Sequence, residues 1–221
     1  MKARYSMVLT LALFVMSISV ASAQFGGRRG MGGGGIQMLR IPEVQKELSM
    51  TDAQIGKLDA KQQEVGQAMQ EARQGVNPQQ MSAEERQQFM TKMQDIQTKA
   101  VADVLDAKQM KRYHQLELQQ SGSMAFMRKD VTSELKITDD QKDKINKIQA
   151  QVGEDMQAAR QGLDFQNMSQ EDRAKLTAKT QEIQKAAGDK IVALLTDDQK
   201  KQWKNMLGEP FKFPAPRPRG A

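Results

Sequence analysis

The chain has 221 residues, of which 38% are hydrophobic and only 5% aromatic, with a formal net charge of +6 and no cysteine. The lack of cysteine excludes disulfide bonds, thiol catalysis, thiolate metal sites and a lipoprotein anchor. With so few aromatic residues the composition offers little material for a deep core, and His114 is the only histidine.

The first 23 residues have the pattern of a secretory signal peptide. Lys2 and Arg4 precede the apolar run MVLTLALFVM at 7–16, and the small residues ASA follow at 21–23. The apolar run is shorter than the roughly 20 residues of a spanning helix, although an uncleaved membrane anchor is the alternative. We expect cleavage after Ala23, a periplasmic or otherwise exported protein, and no transmembrane segment after signal removal.

Both ends of the mature chain are predicted to be disordered. Residues 24–35 form a glycine-rich linker, and residues 209–221 form a proline-rich, basic tail. No aromatic residues are interleaved with the glycines of the first segment to stack on nucleic-acid bases, so we expect no nucleic-acid partner. The arginines that could instead contact an anionic surface are Arg28, Arg29, Arg217 and Arg219.

Between these ends the sequence repeats with an offset of 87 residues. Setting residues 48–100 against 135–187 without a gap gives 24 identities in 53 positions. Such agreement indicates an internal duplication rather than shared composition. It predicts one helical repeat over 36–121 and a second over 122–208.

Both copies contain narrow apolar stripes at the three- and four-residue spacings of a helix face. The members are Ile55, Leu58, Val65, Met69 and Ala72 in the first copy and Ile145, Ile148, Val152, Met156, Ala159 and Leu163 in the second. Gly75 and Gly162 are predicted to end these helices in the left-handed conformation, and Ser82 and Ser169 to begin the next ones. The predicted fold is all-α, with tandem duplicated long helical hairpins flanked by disordered tails.

A short motif recurs where helices are expected to begin. A Thr or Asp followed three residues later by Gln is typical of a capping box, in which each residue bonds the backbone N–H of the other. The pairs are Thr51/Gln54, Asp106/Gln109, Thr138/Gln141 and Thr196/Gln199. The motif therefore predicts helix starts and no catalysis.

The signal peptide, the polar helical chain and the recurring Leu-Thr-x-x-Gln motif resemble the Spy/CpxP, or LTXXQ-motif, family of exported proteins. LTDDQ at 195–199 matches that motif in full, whereas Met50 and Ile137 replace the leucine at two sites and Asp106 replaces the threonine at another. The resemblance implies relatives that include ATP-independent periplasmic chaperones, a modulator of an envelope-stress sensor kinase and zinc-associated proteins. It also implies a cradle-shaped dimer of single units. Two units in one chain leave both a monomer and a homodimer open.

The residues favour a binding protein over an enzyme. Carboxylates alternate with Lys and Arg along helix surfaces, as solvated side chains do, and no glycine-rich phosphate loop is present. His114 and nearby Glu117 supply too few ligands for a metal ion. We therefore expect no catalytic residues, no metal site and no cofactor.

The leading hypothesis is an exported, ATP-independent, chaperone-like protein that binds partly unfolded or apolar client segments on an amphipathic helical surface. The candidate client-binding residues are Ile55, Leu58, Val65, Met69, Ile145, Ile148, Val152 and Met156. The same stripe is alternatively the core that joins the hairpins. The alternative function is an envelope stress-response modulator, or a coiled-coil-like scaffold, that docks one dedicated envelope partner.

Overall fold

A computed structural model describes residues 34–77, 80–165 and 167–214 of the chain. These residues are all-helical, and no β-strand occurs among them. The predicted signal peptide, the linker before Gly34 and residues 215–221 lie outside the described ranges. None of the described helices has both the length and the apolar character that crossing a membrane requires.

The described ranges contain nine α-helices and two 3₁₀ helices. The α-helices are α1 (Pro42–Glu47), α2 (Asp52–Gly56), α3 (Leu58–Arg73), α4 (Ala83–Ala102), α5 (Ala107–Ser121), α6 (Lys129–Glu134), α7 (Asp139–Arg160), α8 (Gln170–Ala193) and α9 (Asp197–Leu207). The 3₁₀ helices are Gly35–Arg40 and Gly122–Met127. Helix α3 packs against α4 and α7 against α8, and we refer to these pairs as the first and second hairpins.

Local hydrogen bonds begin the helices where the motif predicts them. Both bonds of the capping box form at each of the four predicted starts, at the N-termini of α2, α5, α7 and α9. Ser82 and Ser169 cap α4 and α8 by accepting a hydrogen bond from the backbone N–H three residues on. Gly75 and Gly162, with φ of 71° and 78°, follow α3 and α7 in the left-handed conformation, which glycine adopts without steric cost.

Some elements were not predicted. The short helices α1 and α6 and the two 3₁₀ helices lie before the first motif of each hairpin, where the sequence has no long apolar period. The first apolar stripe was expected on one helix, yet it is interrupted at Lys57 between α2 and α3. Gly56 immediately precedes this interruption, and glycine is among the weakest helix formers.

Two apolar clusters hold the helices together. The first joins the early 3₁₀ helix to the first hairpin and α5, and includes Ile36, Leu58 and Tyr113. The second joins the later 3₁₀ helix to α7, α8 and α9, and includes Ile145 and Trp203. Helix α5 contributes to both clusters, so it connects the two halves of the described chain.

The end of the chain returns to the first cluster. Phe213 is buried there, and Phe211 packs against its ring with centroids 4.8 Å apart. The backbone N–H of Phe211 donates to Gln119 Oε1 over 2.8 Å. The folded part therefore extends to residue 214, which corrects the predicted start of the tail at residue 209. At the other end, the N–H of Gly35, assigned to the linker, donates to the Tyr113 hydroxyl over 2.7 Å.

Candidate functional site

The motif glutamines pair with each other across the first half of the molecule. Gln54 Nε2 donates to Gln109 Oε1 over 2.6 Å, and Gln109 Nε2 donates back to Gln54 Oε1 over 3.0 Å. Gln54 Nε2 also reaches the carbonyl of Val104, and Gln109 Nε2 reaches that of Leu48. Each glutamine thus caps its own helix and satisfies the turn that precedes the other helix.

The second half contains the same arrangement. Gln141 Nε2 lies 2.8 Å from Gln199 Oε1, and Gln199 Nε2 lies 3.0 Å from Gln141 Oε1. Their amide groups also donate to the carbonyls of Leu194 and Leu135, respectively. Because these glutamine amides bond to backbone carbonyls and to one another, the motif glutamines hold the helix starts together.

The structure divides the eight predicted client-binding residues into two groups. Leu58, Val65 and Ile145 are less than a tenth exposed and belong to the apolar clusters. This placement corrects their assignment as contact residues and agrees with the alternative that they form core. The five that stay half-buried and keep some accessible surface are Ile55, Met69, Ile148, Val152 and Met156.

A groove of about 660 Å³ runs along one face of the second hairpin, between α7 and α8. Ile148 and Val152 of α7 and Ile183 and Ala187 of α8 line it. Ile148 and Val152 are half-buried, whereas the two α8 residues are buried. Two of the predicted client-binding residues therefore share one apolar groove that is partly open to solvent.

Charged side chains form the rim of this groove. Lys147 near the start of α7 and Lys190 near the end of α8 lie at the same end, which we call the base end, because the helices are antiparallel. Neither lysine forms an ion pair with any residue that the structure describes. Towards the other end, Lys179 is paired with Glu182 over 3.0 Å, and Asp155 is the remaining acid. The two lysines of the groove lining that form no ion pair among the described residues thus both lie at the base end.

The corresponding face of the first hairpin is closed by ion pairs. In the 87-residue alignment Lys61 occupies the position of Ile148. Lys61 Nζ lies 2.7 Å from a carboxylate oxygen of Glu64 and 3.0 Å from one of Asp103, so it bridges α3 to the end of α4. The hydrogen bonds that Lys61 donates to Glu64 and, secondly, to Asp103 raise the pKa of Lys61 and keep it charged. The position of Glu64 is Gln151 in the second hairpin, where no such bridge can form.

The interior of the second hairpin also differs from that of the first. Met93 of α4 is fully buried, and the residue aligned with it in α8 is Thr180. The Thr180 hydroxyl is buried and has no hydrogen-bond partner among the described residues. A small hydroxyl thus stands where the first hairpin has a large thioether, and it leaves a buried polar group unsatisfied in the second hairpin.

Further apolar surface lies away from the groove. A second depression, of about 550 Å³, lies beside Met69 and Arg73 on α3. Phe165, in the connection between α7 and α8, is 57% exposed. The exposed methionines are Met90, Met124 and Met127.

A partly buried polar cluster connects α5 to the start of α6. Glu117 Oε1 accepts a hydrogen bond from the Tyr113 hydroxyl over 3.1 Å, and Glu117 Oε2 accepts one from Arg128 over 3.4 Å. His114 Nδ1 lies 3.5 Å from Glu117 Oε2. Burial acts to raise the pKa of Glu117, but His114, Arg128 and Tyr113 together hold it below its ordinary value. Burial, followed by the charge of Glu117, raises the pKa of Tyr113.

From the sequence, His114 and Glu117 were predicted only to be too few ligands for a metal ion, and this cluster was not predicted. The described residues contain no group of three or more histidine, aspartate or glutamate side chains placed to hold a metal ion.

Compared with known proteins, the chain matches no family model, no curated protein and no solved structure.

Proposed function

We propose that this protein is an exported, ATP-independent, chaperone-like binding protein that covers apolar segments of partly unfolded clients. The observation that carries the proposal is the half-buried stripe of Ile148, Val152 and Met156 on the second hairpin, of which the first two line an apolar groove. Reversible covering of apolar segments requires a surface of this kind, which stays accessible in the folded protein. Nearby lysines would accelerate encounter with acidic clients.

The proposed architecture is a pair of tandem helical units derived by duplication, similar to the Spy/CpxP group. It is supported by the 24 identities at constant offset and by the occurrence of one reciprocal glutamine pair in each half. Export to the periplasm, with removal of residues 1–23, is proposed from the N-terminal sequence pattern. The partners would be unfolded or partly folded proteins, and the protein would act by binding without catalysis or a cofactor.

The test is light scattering from destabilised clients. Two unrelated proteins, one unfolded by heat and one by reductant, are mixed with residues 24–221 at increasing ratios and without nucleotide. Suppression of aggregation of both supports the proposal, and Met156→Gln should weaken it, while the neighbouring exposed exchange Gln157→Ala should leave it unchanged. Circular dichroism establishes that both variants remain helical.

Absence of suppression at excess protein would overturn the chaperone-like function. In that case the better account is the modulator or scaffold that docks one envelope partner. The polarised charge around the groove favours this second candidate, because a fixed charge pattern selects one partner over others. A dedicated dock predicts that one or two exchanges abolish binding to a single protein, whereas a chaperone predicts graded losses over many.

A further inference from the structure

We propose that the groove of the second hairpin is a docking site for an amphipathic helical segment of a client, with an apolar face and carboxylates near one end. The proposal rests on the proposed function, because it names the kind of segment that a client would present. On the aligned face of the first hairpin, Lys61 bridges to Glu64 and Asp103 instead. The two aligned faces therefore differ within one chain.

The difference comes from a small number of exchanges. Lys61, which bridges to Glu64 and Asp103 across the first hairpin, is aligned with Ile148 in the groove. Lys99 of α4 is aligned with Ala186, which also lines the groove. A charged, bridged surface in one copy is therefore an unbridged apolar surface in the other. Burying that apolar surface under a partner contributes a favourable free energy of binding, and the charged face of the first hairpin has less apolar area to contribute.

The shape of the groove fits a helix. It extends from Lys147 to Ala159 along α7, a rise of about 18 Å at 1.5 Å per residue, or roughly three helical turns. Both walls are helices, and a third helix can pack along them at a shallow angle through its side-chain ridges. The small side chains that permit its close approach are Ala158, Ala159, Ala186 and Ala187. Anchors at three- and four-residue spacing are the usual way in which a helix occupies such a groove.

The charges of the rim select the occupant. Lys147 and Lys190 at the base end lack acidic partners within the described ranges, so a docked helix with carboxylates at that end would complete two ion pairs. The two ends of the chain itself are basic, with Arg28 and Arg29 before the described part and further arginines after it. Like charges would oppose their docking beside these lysines. The charge pattern therefore favours an acidic partner over either tail.

The proposal is tested by fluorescence anisotropy with a defined probe. The probe is a labelled amphipathic peptide of about three turns, with leucines on one face and glutamates at one end, added to residues 24–221. Two comparison peptides have lysine in place of glutamate or the same composition with the leucines scrambled. We expect the glutamate peptide to bind at least roughly tenfold more tightly than either.

Variants assign the binding to the groove. Ile148→Lys installs the residue of the first hairpin and should weaken binding roughly tenfold or more. Gln157→Lys, which adds the same charge at an exposed position of α7 outside the groove, should leave it unchanged. Should Ile148→Lys reduce helicity, the double exchange Lys147→Glu and Lys190→Glu replaces it. These rim exchanges should transfer the preference from the glutamate peptide to the lysine peptide.

Several results would overturn the groove as this site. Equal binding of the scrambled peptide would do so, as would equal losses in Ile148→Lys and Gln157→Lys. If dodecanoate binds at the groove and none of the peptides does, the ligand of the groove is an anionic amphiphile and the inference of a client helix is wrong. If clients are protected from aggregation but the peptide does not bind, the chaperone-like function stands and the groove inference fails. If the peptide binds at the groove but clients are not protected from aggregation, the groove inference stands and the chaperone-like function fails.

Discussion

Gln54 and Gln109, which are 55 residues apart, form a reciprocal pair of amide hydrogen bonds of 2.6 and 3.0 Å. Each of the two side chains also completes the capping box of its own helix. A side chain that caps its own helix and also hydrogen-bonds to a residue distant in sequence links helix initiation to tertiary packing. The motif therefore has a structural role, and we expect its disruption to lower the stability of the fold rather than to change binding directly.

Removing either amide should destabilise the fold. Gln109 is buried, so Gln109→Ala removes the partner of the Leu48 carbonyl and of one N–H of the Gln54 side chain, at a cost of about 1–3 kcal/mol. The double exchange Gln54→Ala and Gln109→Ala should cost less than the sum of the two single exchanges, since both remove the same pair. Urea unfolding followed by circular dichroism measures these differences, with exposed Gln63→Ala as the control. Strict additivity would contradict the coupling.

The return of the chain end to the first cluster should contribute strongly to stability. Phe213 is buried among apolar residues, and Phe213→Ala should lower the free energy of unfolding by about 3–5 kcal/mol through lost burial and the cavity left behind. Lys212→Ala, at an exposed neighbouring position, should change it little. Denaturant midpoints compare the two variants. A Phe213→Ala midpoint equal to that of the control would show that the segment does not hold the fold together.

Two glycines with the same backbone angle should respond differently to alanine. Gly35 and Gly75 both have φ of 71°, so alanine at either meets the left-handed penalty of roughly 1–2 kcal/mol. A Cβ on Gly35 would also overlap the side-chain amide of Gln97, whereas a Cβ on Gly75 meets open space. Gly35→Ala should therefore lower the thermal midpoint more than Gly75→Ala. Equal shifts in calorimetry would argue against this close approach.

Acid should weaken the polar cluster around Glu117. Because His114, Arg128 and Tyr113 lower the pKa of this carboxylate against the effect of burial, the folded state binds the proton less readily than the unfolded state. Its contribution to stability is present above the ordinary value of 4.5 and is lost as the pH falls through the lowered folded value. Unfolding measured below pH 4.5 should show a smaller pH dependence in Glu117→Gln than in the unaltered chain. Identical pH profiles would exclude this linkage.

The local elements of the fold could be predicted from short stretches of sequence. Capping boxes need only two side chains three residues apart, and the glycines after α3 and α7 need only their own backbone freedom. These interactions close within one helical turn, so the sequence determined them without knowledge of the neighbouring helices. The repeated apolar stripes likewise predicted the all-α class, because their period belongs to the helix itself.

What covers each stripe was decided by the tertiary structure. Leu58, Val65 and Ile145 are equivalent to their neighbours in pattern, yet they lie in the core, while Ile148 and Val152 line a groove. The return of Phe213 and the pairing of Gln54 with Gln109 depend on segments that are distant in sequence. Periodicity assigns a residue to a face of its helix, but burial depends on which other elements pack there. That long-range packing separates structural residues from those available to a partner.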